Sequence, residues 1–150
     1  MAAEGLQATL RRRADREAIR DLTSAYAHYI WTKDVDAIVD LFTEDAEMDT
    51  GDAPVIQGRE ALSEAYRRLL AGDEFLPFVH NHVIQLQGDA ATGNCCLDLR
   101  ATVRGRSMIG AGQYEDEYVK QAGRWKFRRR RLTMRHFVPL SRGWAEPEGE

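Results

Sequence analysis

The chain has 150 residues, with 43% apolar and 30% charged side chains and a formal net charge of −3. That length suits one domain, and a chain of this size buries about 68–70% of its unfolded surface without needing a disulfide or metal staple. The small negative charge gives no general attraction to nucleic acid or anionic membrane. The two cysteines, Cys95 and Cys96, are adjacent. In a strand they point to opposite faces, so reduced thiols and a cytoplasmic location are expected. No apolar run approaches the length of a membrane span, and no signal peptide is read at the start.

Residues 1–13 read as a flexible arm or an extra helical turn. From Ala14 to about Lys33 a long helix is expected. Ile19, Leu22, Tyr26, Tyr29 and Ile30 form one stripe at helical spacing, ending beside Trp31. Phenols on such a stripe need hydrogen-bond partners when buried, which suits either a cavity lining or core tyrosines reaching solvent. Asp34 can cap a second helix with Ile38, Leu41 and Phe42 on its apolar side, and Thr43-Glu44-Asp45 reads as its break. Residues 46–50 alternate as a short strand, 51–54 make a turn, and Val55-Ile56 form another short strand. Gly58 opens a third helix with Leu62, Ala65, Leu69 and Leu70 inward, and Gly72 ends it.

The remainder alternates as strands. Phe78 to Leu86 places His80, His82, Ile84 and Leu86 on one side. Residues 88–93 turn, Cys95 to Val103 form the next strand, and Arg104-Gly105-Arg106 a tight connection. Met108 to Val119 and Trp125 to Phe137 form a hairpin in which Glu115, Asp116 and Glu117 meet Arg128 to Arg131. Residues 141–150 read as a flexible tail. Helices first and an antiparallel sheet after define an α+β fold. The expected form is a cone-shaped, curled antiparallel sheet wrapped around the long N-terminal helix, an α+β barrel over residues 14–140.

The segments AIRDLTSAYAHYI (18–30), DAIVDLFTEDAEMD (36–49), QGREAL (57–62), HNHVIQLQGDAATG (80–93) and EDEYVKQAGRWKF (115–127) together resemble the SnoaL-like branch of the nuclear transport factor 2-like superfamily. That branch includes polyketide cyclases, lindane dehydrochlorinase, scytalone dehydratase and bile-acid 7α-dehydratase. The resemblance implies a cofactor-free pocket in which side chains move protons on a small, mostly apolar molecule, and binding-only members also occur. It places Tyr26 at a catalytic tyrosine position and Arg130 at an active-site arginine. The family's paired aspartate and histidine are absent: Trp31 takes the first position and the second falls at about Pro77. His80 stands where a relative carries a second histidine. Relatives also form dimers and trimers through sheet faces, so a homodimer or homotrimer is expected.

The residues themselves support a similar site. His80 or His82 is the candidate base, because imidazole titrates near neutrality. The alternative is one core histidine and one at the rim. His-x-His could hold a metal, but no third ligand stands out, so no metal and no cofactor are expected. Arg130 lies in phase with Leu132, Met134 and His136, where an arginine clamps an acid or a substrate; the alternative is a buried pair with Asp116 or another acid. The arginine run splits between two faces, which argues against nucleic acid. Tyr26 and Tyr29 are candidate acids and oxyanion donors. Tyr114 is expected within a residue of Arg130's register. Trp31, Met48, Leu97 and Met134 complete the expected substrate wall, with Asp49 a weaker candidate that reads better as solvated. The expectation is a cofactor-independent lyase, dehydratase or isomerase acting on a small aromatic or polycyclic hydroxylated or keto compound. The alternative is a non-catalytic ligand-binding or accessory subunit. Neither a nucleic acid nor a membrane partner is expected.

Overall fold

The computed structural model describes residues 1–146. Helix α1 (Ala2–Thr32) leads into α2 (Val35–Asp40), strand β1 (Phe42–Asp49), the two-residue β2 (Ile56–Gln57) and helix α3 (Arg59–Leu70). Four long strands follow: β3 (Glu74–Gln87), β4 (Ala90–Val103), β5 (Arg106–Gln121) and β6 (Arg124–Pro139). They form one six-stranded sheet in the order β2-β1-β6-β5-β4-β3. The sheet curls without closing, so β2 and β3 remain its edges. This is the α+β architecture read from the sequence.

One stretch follows the second of its two readings, and another differs from expectation. The first thirteen residues are helical from Ala2, and all of them are exposed. They extend α1 outward beyond the core rather than forming a separate arm. Of the expected flexible tail, residues 147–150 lie outside the described residues. Thr43-Glu44-Asp45 is not a break but the first half of β1. Fully buried Phe42 pairs with Phe127 in a parallel ladder to β6, and that pairing draws the segment into the sheet.

Helix α1 fills the concavity with Ile19, Leu22, Tyr26 and Ile30, and α3 closes one side with Leu62, Tyr66 and Leu70. The helix stops at Lys33, whose φ of 58° takes the left-handed region and whose N–H reaches the Ile30 carbonyl. Asp34 then caps α2 by accepting from the Ala37 N–H at 3.1 Å, as its position in the sequence suggests. At the narrow end, buried Asp15 of α1 accepts from Trp125 Nε1 at 2.9 Å and Lys120 Nζ at 3.1 Å, which ties the helix to β5 and β6. Burial alone would raise the Asp15 pKa, but these two donors outweigh it and leave the carboxyl below its ordinary value.

The curl comes from irregularities in the ladders. Register shifts lie between His80 and Val83 in β3, and twice between β5 and β6. Each adds local twist and changes which residues face inward. Among the described residues, no helix is long and apolar enough to cross a membrane.

Candidate active site

The cone holds a cavity of about 410 Å³, within the roughly 300–1,000 Å³ range of small-molecule pockets. Its wall is mainly apolar: Ile30 from α1, Met48 from β1, Leu97 and Leu99 from β4, and Leu132 and Met134 from β6 all face it. Three phenols interrupt that wall, Tyr26, Tyr66 and Tyr114, and Thr50 and Asp52 stand among the other polar lining residues. Tyr26 and Tyr66 share a hydrogen bond between their hydroxyls at 2.7 Å. One O–H proton is therefore used inside the pair and the other is free to point at a ligand. Burial pushes all three phenols above their ordinary pKa, against the lowering effect of the Arg130 cation. They remain neutral donors at physiological pH.

Arg130 is 0% exposed and lies behind the phenols. Its Nε and Nη2 donate to the two oxygens of Asp116 at 2.9 and 3.2 Å. The guanidinium sits 3.6 Å from the Tyr114 ring centroid, 4.3 Å from Tyr26 and 4.4 Å from Phe127. Its Nη1 has no conventional acceptor. Three aromatic rings around the cation account for that, since ring faces carry partial negative charge. Of the two sequence readings of Arg130, the structure shows the buried pair with Asp116; the residue does not line the cavity, and it also packs against two pocket phenols. Tyr114 pairs with Leu132, not with a residue next to Arg130, and reaches the guanidinium diagonally.

Asp116 accepts a third hydrogen bond, from the Tyr118 hydroxyl at 2.9 Å. Tyr118 has given its only proton to the carboxylate. The 2.9 Å contact between that hydroxyl and His82 Nε2 therefore requires the imidazole N–H to donate. His82 is half-buried, and burial holds its pKa below the ordinary 6.5; Asp116 opposes this, while Arg130 and Arg20 add to it. His82 faces inward but borders this relay rather than the cavity.

The other histidine differs from expectation. Phe75, Pro77 and Val79 face inward on β3, then Asn81 adopts φ 52° within the bulge, and the inward set becomes His82, Ile84 and Leu86. The extra residue reverses the alternation, so His80 is exposed. Trp31 also departs from its expected place as a pocket floor. It is 43% exposed, its ring edge meets Phe78, and its Nε1 donates to the Pro77 carbonyl at 2.8 Å. The two positions where the resemblance puts an acid and a histidine are still neighbours, but they hold an indole and a proline.

Tyr29 is half-buried against His28 and does not line the cavity, because it lies on the flank of the α1 stripe, a turn from Tyr26. Asp49 does not line the cavity; it is half-buried rather than solvated, 3.9 Å from both Arg129 and Arg131 and accepting from the Gly51 N–H at 2.9 Å. Met48, Leu97, Tyr114 and Met134 line the cavity as expected. Sequence reasoning missed Tyr66 and Tyr118, and read Asp52 only as part of the 51–54 turn. Tyr66 stands one turn after Leu62, and Tyr118 stands in period-two phase with Tyr114, so both lay on faces already read as inward. Among the described residues, no three His, Cys, Asp or Glu side chains come together as a metal site.

Residues 11–131 match the SnoaL-like domain family. A protein of unknown function from Mycobacterium tuberculosis is 28% identical, with a TM-score of 0.78 over 84% of this chain and 75% of that one. The hexachlorocyclohexane dehydrochlorinase LinA-type3 from Novosphingobium barchaimii is 22% identical, with a TM-score of 0.82 over 93% and 99%. A candidate scytalone dehydratase from Novosphingobium aromaticivorans is 22% identical, with a TM-score of 0.81 over 95% and 98%. The last two likenesses show a shared fold of the nuclear transport factor 2-like type. No curated protein sequence matches significantly. The family match spans most of the chain and agrees with the helix-filled, unclosed cone, so this protein belongs to the SnoaL-like domain family.

Proposed function

We propose that the protein is a cofactor-independent lyase, dehydratase or isomerase acting on a small, mostly apolar compound that carries a hydroxyl or carbonyl group. The observation that carries this reading is the cluster of neutral phenols, Tyr26, Tyr66 and Tyr114, set in an otherwise oily cavity and backed by the Arg130 cation. Donors fixed in a low-dielectric pocket stabilise negative charge that develops on a substrate oxygen, and fixed donors need no reorganisation as it develops. In an enolisation or elimination, the oxygen of the substrate would rest against these hydroxyls while a proton leaves the neighbouring carbon. The carboxylate among the lining residues is Asp52, exposed on the turn after β1, where it accepts from Thr50 Oγ1 at 2.7 Å. It is the proposed proton acceptor in place of the missing family pair. Two solved structures of the same fold have names that denote loss of hydrogen chloride and of water, which supports elimination chemistry as the class.

The second reading, a binding protein with the same ligand class, is favoured by one feature. Neither histidine expected as a base borders the cavity, since His80 faces solvent and His82 stands behind Tyr118. One experiment separates the two readings. Turnover and affinity are measured on hydroxylated aromatics and ring ketones for the parent, Tyr66→Phe, Tyr114→Phe and Asp52→Asn. Catalysis predicts a kcat loss of about 10²-fold or more for the acting phenol and for Asp52→Asn, with binding largely kept. Tight binding without turnover in the parent overturns the enzymatic reading. Turnover unaffected by all three substitutions overturns the assignment of roles.

A further inference from the structure

The cavity is built in layers along the strands. Tyr114 of β5 pairs with Cys95 of β4 and Leu132 of β6. Two residues on, Gly112 pairs with Leu97 and Met134, and Gly110 pairs with Leu99 and Phe137. The partners Leu97, Leu99, Leu132, Met134 and Phe137 all line the cavity. From Tyr114 to Gly110 is four residues, roughly 13–14 Å at about 3.4 Å per residue. The phenols mark the inner layer. The middle and outer layers contain no side chain at all on β5.

Those two glycines are occupied space. A Cβ on Gly110 would lie 2.7 Å from Met134 Cε, 2.9 Å from Phe137 Cδ2 and 3.1 Å from the His136 carbonyl oxygen. A Cβ on Gly112 would lie 2.6 Å from the Thr133 carbonyl oxygen and 2.9 Å from Met134 Sδ. Met134 and Phe137 therefore pack against bare backbone at Gly110, and Met134 does so at Gly112 as well. A side chain at Gly110 would force both to shift, and the cavity they line is where they would yield.

We infer that Gly110 and Gly112 set the length of ligand the pocket accepts, making it a site for an elongated, flat compound of two or three fused rings with one oxygen at its inner end. This rests on the reading of the phenol-lined cavity as the ligand site. Gly110 is the better test position, because its closest neighbours are flexible side-chain ends, whereas Gly112 meets backbone.

The test is calorimetric titration of the whole protein with phenol, β-naphthol and β-anthrol, as one-, two- and three-ring probes. The parent is expected to bind the longer probes more tightly. Gly110→Ala is expected to weaken β-anthrol by about tenfold or more, the scale of one methyl group's discrimination in an apolar pocket, with phenol nearly unchanged. Adding Met134→Ala to Gly110→Ala should restore β-anthrol. Should Gly110→Ala not fold, Phe137→Ala alone should improve β-anthrol relative to phenol. Equal weakening of all three probes, no weakening, failure of Met134→Ala to restore β-anthrol, or no gain in Phe137→Ala would overturn the length-setting role while leaving the pocket as the ligand site. Absence of binding by every probe would overturn both.

Discussion

Arg130 shows how much one residue can hold together. Fully buried, it neutralises Asp116 and supports the rings of Tyr26 and Tyr114. Removing one member of a buried ion pair leaves the other charge stranded, which costs about 3–5 kcal/mol, whereas replacing both with apolar groups can be neutral. Arg130→Met is therefore expected to lose stability of that order in urea denaturation, and Arg130→Met combined with Asp116→Leu to recover most of it. A second residue-scale prediction concerns His82. The unfolded chain takes up a proton on this imidazole near its ordinary pKa of 6.5, while the folded protein resists it. Its contribution to stability is complete above that value and declines as pH falls toward the lower folded value. The melting temperature should fall between pH 7 and pH 5, and His82→Gln should flatten that fall. Asp15 and Asp40, both held below their ordinary carboxylate pKa, act at lower pH and stay outside this window. The sequence made a charge pairing across this hairpin legible, because Glu115, Asp116 and Glu117 face Arg128 to Arg131, but it put Tyr114 rather than Asp116 nearest Arg130 in register. It did not reveal the guanidinium's second task, since ring stacking depends on diagonal neighbours that no linear pattern displays.

At the level of elements, the helices and the long strands were readable from periodicity, although the first helix begins at Ala2 rather than Ala14 and β4 at Ala90 rather than Cys95. The exception with consequences is β3. Strict alternation puts His80 and His82 on one face, yet a single left-handed residue, Asn81, separates them into opposite orientations. A bulge leaves little trace in a run of strand-forming residues; an asparagine between two histidines is a weak hint, because its short side chain tolerates positive φ. That conformation gives a direct prediction. Asn81→Gly should keep or slightly raise the melting temperature, and Asn81→Val should cost about 1–2 kcal/mol by forcing a β-branched residue to positive φ. A loss for Asn81→Val no larger than that of Val83→Ala on the exposed face would contradict a strained bulge. Tyr66 was missed for a different reason. Its helix reads correctly as amphipathic, but only tertiary packing brings α3 far enough over the cone for the phenol to meet Tyr26.

For the whole molecule, the decisive feature is a hollow that the fold leaves open. The unclosed sheet, the α1 stripe and the bare backbone at Gly110 and Gly112 together keep apolar side chains from filling it. The family explains the general form, while this chain's own residues supply the phenols and omit the usual acid–histidine pair. Its four methionines give a direct test of that hollow, since Met48 and Met134 line the cavity and Met1 and Met108 do not. With ¹³C-methyl methionine incorporated, NMR spectra are recorded while β-naphthol is added to the whole protein. The Met48 and Met134 methyl signals should shift together and saturably, with Met1 and Met108 unmoved, and Tyr66→Phe should weaken the response. Shifts confined to Met1 or Met108, or no saturable shift at Met48 and Met134, would contradict a ligand site inside the cone.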